Sequence, residues 1–539
     1  MSSEFAPLAE RIVDALLEAY PGTATFAGDH RYDDRLPDYS PDSVAGDVAM
    51  LRDASVALSQ VDEDTLDAQE GVDHAILSAR VDRELFEYTE VREHEWNPLE
   101  HNPGPLLYAL IARPFAPVAQ RLESLAGRLA AIPDALAIAR DVLTDPPRIH
   151  VETAVGQFAG TAGLIRDQIP GLLAEAPELA DRVKPAAERA VAALDEFGGW
   201  LRARLATGEP GRDPRLGRRL WEARLWHTLD TDLTAAEVKN RASTALDEIG
   251  ADLRIAAADY VDGRPEDRTV QRALDRLGDE HPDNASIVAL ARQMVRETTD
   301  FVAEHDLVSL VDDPLVVQEL PEFARGVGVA YCEAPGPLET ATVPTFYHIS
   351  PTPADWPKER VESFYREYNN YMVRNLTVHE AMPGHFLQLA HGRRYRGGTR
   401  VRSLGFSGPF VEGWAVYAEE VVARAGFGGA PVRLQQLKMQ LRVAVNALLD
   451  QLVHCEGLQE VEAMALMTGA GFQEEGEAAG KWRRALLTST QLSTYFVGYT
   501  EVSGIGRARP DGTSVREWHD AMLAHGSPPP RHLRTLLGV

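Results

Sequence analysis

Val378-His379-Glu380-Ala381-Met382-Pro383-Gly384-His385-Phe386-Leu387 holds two histidines, an acid directly after the first, and a Pro-Gly step between them. The residues leading in, among them Phe364, Tyr368, Tyr371, Met372, Asn375 and Leu376, recur at helical spacing and carry His379 and Glu380 onto a helix. The common helical metal motif, His-Glu-x-x-His, sets its two imidazoles one turn apart with the Glu beside the metal's water. Here the histidines are six apart. On a straight helix six steps rotate by about 240° and rise about 9 Å, so the rings would face apart. Pro383 alters this, because its ring clashes with the carbonyl of His379 and it donates no hydrogen bond. Gly384 tolerates unusual backbone. Two extra residues extruded as a bulge return His385 to the face of His379. The pattern predicts a distorted helix at Pro383-Gly384 and helix again from His385 through Ala390. Taken alone, the same residues read equally well as the end of one helix followed by an ordinary His385.

The next element bears on that choice. In Phe406-Ser407-Gly408-Pro409-Phe410-Val411-Glu412-Gly413-Trp414, Ser407 suits a helix cap and Pro409 the first turn. Glu412 then falls one turn into a largely apolar helix, where a lone carboxylate is costly to bury. A metal is one partner for it; the helix dipole at a surface N-terminus is another. Two neutral imidazoles, one carboxylate and one water fill the four positions of a catalytic zinc. Glu419 lies seven residues beyond Glu412, on nearly the same face, and is placed to orient a ligand histidine.

Around this stretch the chain reads mostly α. Its 539 residues exceed one ordinary core and suggest two lobes or one large helical body. Helices are expected over 43–61, 66–90, 115–142, 146–168, 178–206, 234–260, 266–277 and 283–304, with breakers at Pro103-Gly104-Pro105 and Pro170-Gly171 among others. After residue 305 the composition turns β-rich. Leu307–Val311, Leu315–Leu320, Gly326–Cys332 and Val343–Ile349 read as short strands, and Pro344 predicts an edge position for the last. The expected division is therefore a helical lobe, 1–304, and a metal-site lobe, 305–539, with a small β-sheet next to the metal site. A sheet edge there can pair with an extended peptide or simply pack the helices. His94 and His101 also bracket a His-Glu start, but Asn97-Pro98 between them predicts a loop with satisfied polar groups.

The formal net charge of -28 argues against nucleic acid and anionic membranes as partners. Cys332 and Cys455 form no disulfide framework, as in a reducing compartment. The first residues show no basic start and no apolar run, so a cytoplasmic location is expected.

The blocks His379–His385 and Glu412-Gly413-Trp414-Ala415-Val416-Tyr417-Ala418-Glu419 resemble the bacterial domain of unknown function 885 family. The resemblance extends to Gly28-Asp29-His30-Arg31-Tyr32, to His150-Val151-Glu152-Thr153-Ala154, and to Trp518–Ser527. That family is similar to zinc metallopeptidases with two His and one Glu as ligands. The resemblance implies His379, His385 and Glu412 as ligands of Zn²⁺, Glu380 as general base, and a helical body with a deep cleft. The related metallopeptidases often carry an Asp four residues after the ligand Glu, where this chain has Val416. The resemblance also makes Arg442, Asp450 and His454 an active-site wall, with His454 a candidate for the substrate carbonyl. A local Asp450–His454 helix pair is the plainer reading of that spacing. Tyr495 matches the family's tyrosine and is the candidate oxyanion donor, with core packing as its alternative. Arg393, Arg394, Arg396, Arg400 and Arg402 form a basic loop that suits a substrate carboxylate or only solvent.

The expectation is a zinc-dependent hydrolase acting on short peptides. The same parts suit a metal-dependent amide hydrolase or tailoring enzyme on a peptide-like metabolite. A catalytically silent ligand-binding module is the third possibility.

Overall fold

Several helices start where a side chain takes over an orphan backbone N–H. Asp67 with Glu70, Thr234 with Glu237, and Ser514 with Glu517 each close a reciprocal cap. The computed structural model describes residues 4–320 and 329–539, and it is mostly helical with one small three-stranded sheet, as expected. One expected breaker, Pro170-Gly171, does not break, whereas Pro103-Gly104-Pro105 separates two elements and starts a helix. Pro105 sits in the first turn of Gly104–Ala112, where its missing N–H is unneeded. Pro170 lies inside Arg148–Glu175, whose buried apolar face outweighs the lost bond. Arg218–Leu229 is a further helix. Among the described residues no helix is long and apolar enough to cross a membrane.

The chain forms two compact units. The first is Met1–Pro214 with Pro335–Val343 and Gly397–Gly405. Phe5, Val13, Leu51 and Leu77 share a core with Val401 and Leu404, and buried Arg402 pairs with Asp73 at 2.7 Å. Pro335–Val343 is fastened at Gly28, which has a left-handed φ of 89° and whose added Cβ would stand 2.4 Å from the Glu339 nitrogen. There the His30 ring contacts Asp33 at 2.7 Å and Glu339 at 2.9 Å.

The second unit is Arg215–Ala334, Pro344–Arg396 and Phe406–Val539. Helices Ala235–Val261 and Asp267–Gly278 bury Leu253, Ala257, Val270 and Leu277 against Leu434, Leu437 and Leu441 of the long helix Gly429–Glu456. For that reason the boundary lies at 214/215, and the compositional change at residue 305 marks only the start of the sheet region. Strands β1 (Leu315–Glu319), β2 (Ala330–Glu333) and β3 (Thr345–Ile349) lie in the order β1-β3-β2. β1 is parallel to β3 and β2 antiparallel. The expected strand residues Gly326–Gly328 lie outside the described residues.

Two strand expectations are corrected. β3 is the central strand and not an edge, because Pro344 precedes it and removes no ladder bond. Leu307–Val311 is no strand. Its backbone groups are taken by side chains: Ser309 N–H donates to Asp520, while His519 and His391 donate to the Leu307 and Ser309 carbonyls. The core beneath the sheet joins Tyr347 and Ile349 to Val373, Val378, Phe386, Phe410 and Trp414. The helices that carry the two histidines and Glu412 therefore stand on the sheet.

Candidate metal centre

Asn369 caps the helix Asn370–Glu380 by accepting from the Tyr371 and Met372 N–H groups at 3.1 Å. The ladder then breaks at Ala381 and helix resumes over His385–Gly392. Across the break, Gly384 N–H donates to Val378 at 2.9 Å and Leu387 N–H to Ala381 at 3.3 Å. Each bond reaches six residues back where an α-helix reaches four. The two surplus residues are thus looped out, and the rings of His379 and His385 meet edge to face with centroids 4.6 Å apart. Gly384 is obligatory, since a Cβ there would stand 1.9 Å from the His379 carbonyl oxygen. Trp414 fixes the loop from the next helix by donating its indole N–H to the Pro383 carbonyl at 2.8 Å.

That next helix is Gly408–Arg424, capped by Ser407. It crosses Gln491–Arg507 where Gly413 faces Gly498, and a Cβ on Gly413 would lie 2.3 Å from Gly498 backbone atoms. This contact lets Glu412 turn toward the histidines. Its Oε2 lies 3.4 Å from His379 Nε2 and 3.5 Å from His385 Nε2. One ligand atom from each of the three residues lies within 4.8 Å of the other two. Donors held about 2.0–2.2 Å from a tetrahedral ion stand about 3.3–3.6 Å apart, so both carboxylate–imidazole distances match one ion. The donor set of two nitrogens and one carboxylate oxygen suits zinc, and the cluster can hold a metal.

Glu419 sits behind His379, with Oε1 2.7 Å from Nδ1. A carboxylate only accepts, so Nδ1 carries a proton and Nε2 is the nitrogen turned to the cluster, open to a metal once the ring is neutral. Asn375 donates to the other Glu419 oxygen at 2.5 Å. Burial opposes charge on His379, but Glu412 and Glu419 outweigh it and raise the ring well above the ordinary histidine range. Burial alone would raise the Glu412 carboxyl; His385 and His379 overcome it and hold it far below the usual range. Glu380 is 6% exposed, and burial raises its carboxyl in spite of both histidines. Its Oε2 makes no hydrogen bond to any described residue.

The remaining candidates separate. Tyr495 stands half-buried on Gln491–Arg507; burial and then the charge of Glu412 raise its phenol. His454 is not brought to the cluster. Its Nδ1 accepts from the Leu216 N–H and its Nε2 donates to the Ala485 and Thr488 carbonyls, so neither ring nitrogen is left for substrate. Asp450 pairs elsewhere than with His454. One oxygen accepts from Trp221 and Thr490 N–H and the other from Ser493 N–H and O–H, which caps the helix carrying Tyr495. Arg442 joins a buried ion network through Glu477 and Tyr368 and does not reach the ligands. The basic loop is also spent: Arg393 and Arg394 pair with Asp313, Arg400 with Glu10, and Arg402 with Asp73.

Three contributors escape a reading by sequence. Asn375 has a faint signal, one turn before His379. Trp414 as a clamp and the Gly413–Gly498 contact have none, because their partners lie far away in the chain.

A search of the curated proteins finds no match. Among solved structures, a candidate lipoprotein of unknown function from Shewanella oneidensis is 28% identical over 100% of both chains, with a TM-score of 0.81. A candidate lipoprotein from Colwellia psychrerythraea is 16% identical over 99% of this chain and 98% of that one, with a TM-score of 0.80, and shares the fold. The M32 carboxypeptidase from Deinococcus radiodurans R1 scores only 0.33 at 11% identity over 93% of this chain and 96% of its own, too low to indicate a common fold. The likeness to the Shewanella candidate lipoprotein overturns the expected cytoplasmic location: lipoproteins are held at a membrane, and the first residues of this sequence decide nothing about placement. A family model of bacterial proteins of unknown function matches residues 21–537, and the chain belongs to that family (DUF885).

Proposed function

We propose that this protein is a zinc-dependent hydrolase that cleaves short peptides. The observation that carries the proposal is the spacing of Glu412 from both imidazoles, with buried Glu380 adjoining His379. Zinc held by His379, His385 and Glu412 would supply Lewis acidity and make water nucleophilic near neutral pH. Glu380 takes the proton of the attacking water and passes it to the departing amine. The raised Glu380 carboxyl suits the first half of that transfer, since a carboxylate of higher pKa takes the water's proton more readily. Tyr495 donates its phenolic O–H to the oxygen on which negative charge develops. Glu419 keeps His379 in the tautomer that presents Nε2. By likeness to the Shewanella candidate lipoprotein, the substrates lie outside the cytoplasm.

The test combines metal analysis with mass spectrometry of a mixed peptide library. Zinc-loaded protein should cleave peptides, and Glu380→Gln should keep its zinc while cleavage falls by about 10²–10⁴. Cleavage that survives in zinc-bound Glu380→Gln excludes Glu380 as the base. Intact peptides alongside a hydrolysed small amide would move the assignment to a tailoring amidase, and stoichiometric zinc without any turnover to a binding module.

A further inference from the structure

Helix Glu475–Leu487 presents Glu477, Lys481 and Arg484 on one face, at positions i, i+4 and i+7. Arg442 arrives from Gly429–Glu456 and pairs with the same Glu477. Lys481, only 6% exposed, has Glu477 as its ion-pair partner, at 3.8 Å. Three basic side chains therefore converge on one carboxylate and pull the Glu477 carboxyl below its usual range against the effect of burial, while burial and then Arg442 push Lys481 itself well below the ordinary lysine range.

Arg484 is the member left over. It donates to Gln491 Oε1 at 2.7 Å and contacts the Tyr495 hydroxyl at 3.3 Å. Among the described residues no carboxylate lies within ion-pair distance of it. Carboxylates are not scarce, for the chain has 82 acids against 54 bases. A half-buried guanidinium that donates only to an amide oxygen and a phenol, one contact from a hydroxyl that senses Glu412, offers its remaining N–H groups to an anion. A planar guanidinium fits a carboxylate by two parallel hydrogen bonds.

Distance then limits where that carboxylate lies in a peptide. Hydrogen bonds of about 2.9 Å on either side of the Arg484–Tyr495 contact span at most about 9 Å. An extended chain covers about 3.3–3.6 Å per residue. A carboxylate on Arg484 is thus one or two residues beyond a scissile carbonyl held by Tyr495. We propose that Arg484, backed by Lys481, receives the C-terminal carboxylate of the peptide, so that the enzyme releases one or two residues from C-terminal ends. This rests on the hydrolase reading above, and a side-chain carboxylate is the alternative source of the same anion.

The test uses zinc-loaded full-length protein and three acetylated tetrapeptides: a free acid, its C-terminal amide, and an amide with glutamate as the penultimate residue. Calorimetric titration should show the free acid binding about tenfold or more tighter than either amide. In Arg484→Gln the free acid and its amide should bind within about twofold, and Arg484→Lys should restore part of the preference. Lys481→Met, checked by circular dichroism, is the second variant and should weaken the preference if Arg484→Gln does not fold. Mass spectrometry should find one or two residues released from the free acid. Equal binding of acid and amide, or a preference that persists in Arg484→Gln, overturns the carboxylate site. Tight binding of the glutamyl amide overturns the C-terminal assignment. A free-acid preference without any cleavage upholds the carboxylate site and sinks the hydrolase reading instead.

Discussion

Gly384→Ala puts the backbone break at Pro383-Gly384 to its hardest test. The added Cβ would stand 1.9 Å from the His379 oxygen and 2.4 Å from that of Val378. Real Cβ atoms essentially never come under 3.0 Å. The loop or the His379 carbonyl must therefore retreat by at least about 1.1 Å. Both atoms at risk belong to the two peptide units that flank His379, so its imidazole moves with them. Metal–ligand bonds tolerate about 0.2 Å, and a functional group misplaced by about 1 Å costs about a hundredfold. Zinc affinity should fall by about that factor, or about 2.7 kcal/mol. Overpacking should lower global stability by about 1–3 kcal/mol as well. The assay is zinc competition against a chromophoric chelator, with urea unfolding on the same samples. Gly160→Ala is the control: it lies in Arg148–Glu175 with nothing within 4 Å, so zinc binding should hold and stability should rise slightly. Wild-type zinc affinity in Gly384→Ala would refute the geometric argument.

Glu419→Gln keeps the shape but loses the charge behind His379, and zinc affinity should drop about 10–100-fold with the fold intact; unchanged affinity would mean that Glu419 does not orient the ring. Asp450→Ala leaves the buried donors of Trp221, Thr490 and Ser493 without their acceptor, and urea unfolding should register a loss of about 3 kcal/mol or more. A loss under about 1 kcal/mol would show that the cap is dispensable. Burial opposes charge on His30, yet Asp33 and Glu339 raise its pKa above the ordinary 6.5. A raised folded-state value gives stability that is complete below about 6.5 and lost as pH rises through the folded value. Proteolysis within Pro335–Val343 should therefore speed up from about pH 6 to about pH 9, and His30→Gln should remove that dependence.

The break between the histidines was legible because a proline and a glycine act locally. The first withholds a donor and the second admits a close approach that any other residue would block. The helical character was legible for the same reason, as spacing and caps are near-neighbour properties. What misled, Pro344 apart, was a distant partner. Asp450 and His454 stand one turn apart, and nothing local says that Trp221, Ser493 and the Leu216 N–H claim them. Leu307–Val311 has the composition of a strand, but residues about two hundred positions on satisfy its backbone. The basic loop read as a carboxylate site or a solvated one, and neither reading foresaw that Asp313, Glu10 and Asp73 pair with Arg393, Arg394, Arg400 and Arg402. Arg484 carries no signal in the sequence, and only the lack of a carboxylate within ion-pair distance among the described residues gives it meaning.

Where Gly413 meets Gly498, main chain rests on main chain with nothing interposed. Glu412 adjoins one of these glycines and Tyr495 stands a turn before the other. The offset between the backbone positions that carry acid and phenol is therefore a dimension of the frame, set apart from the rotamers of either side chain. Exchanging the groups at 412 or 495 alters the chemistry offered at each end of that fixed span and leaves the span itself untouched. A redesign could thus vary donor and acceptor independently, as long as neither glycine gains a side chain.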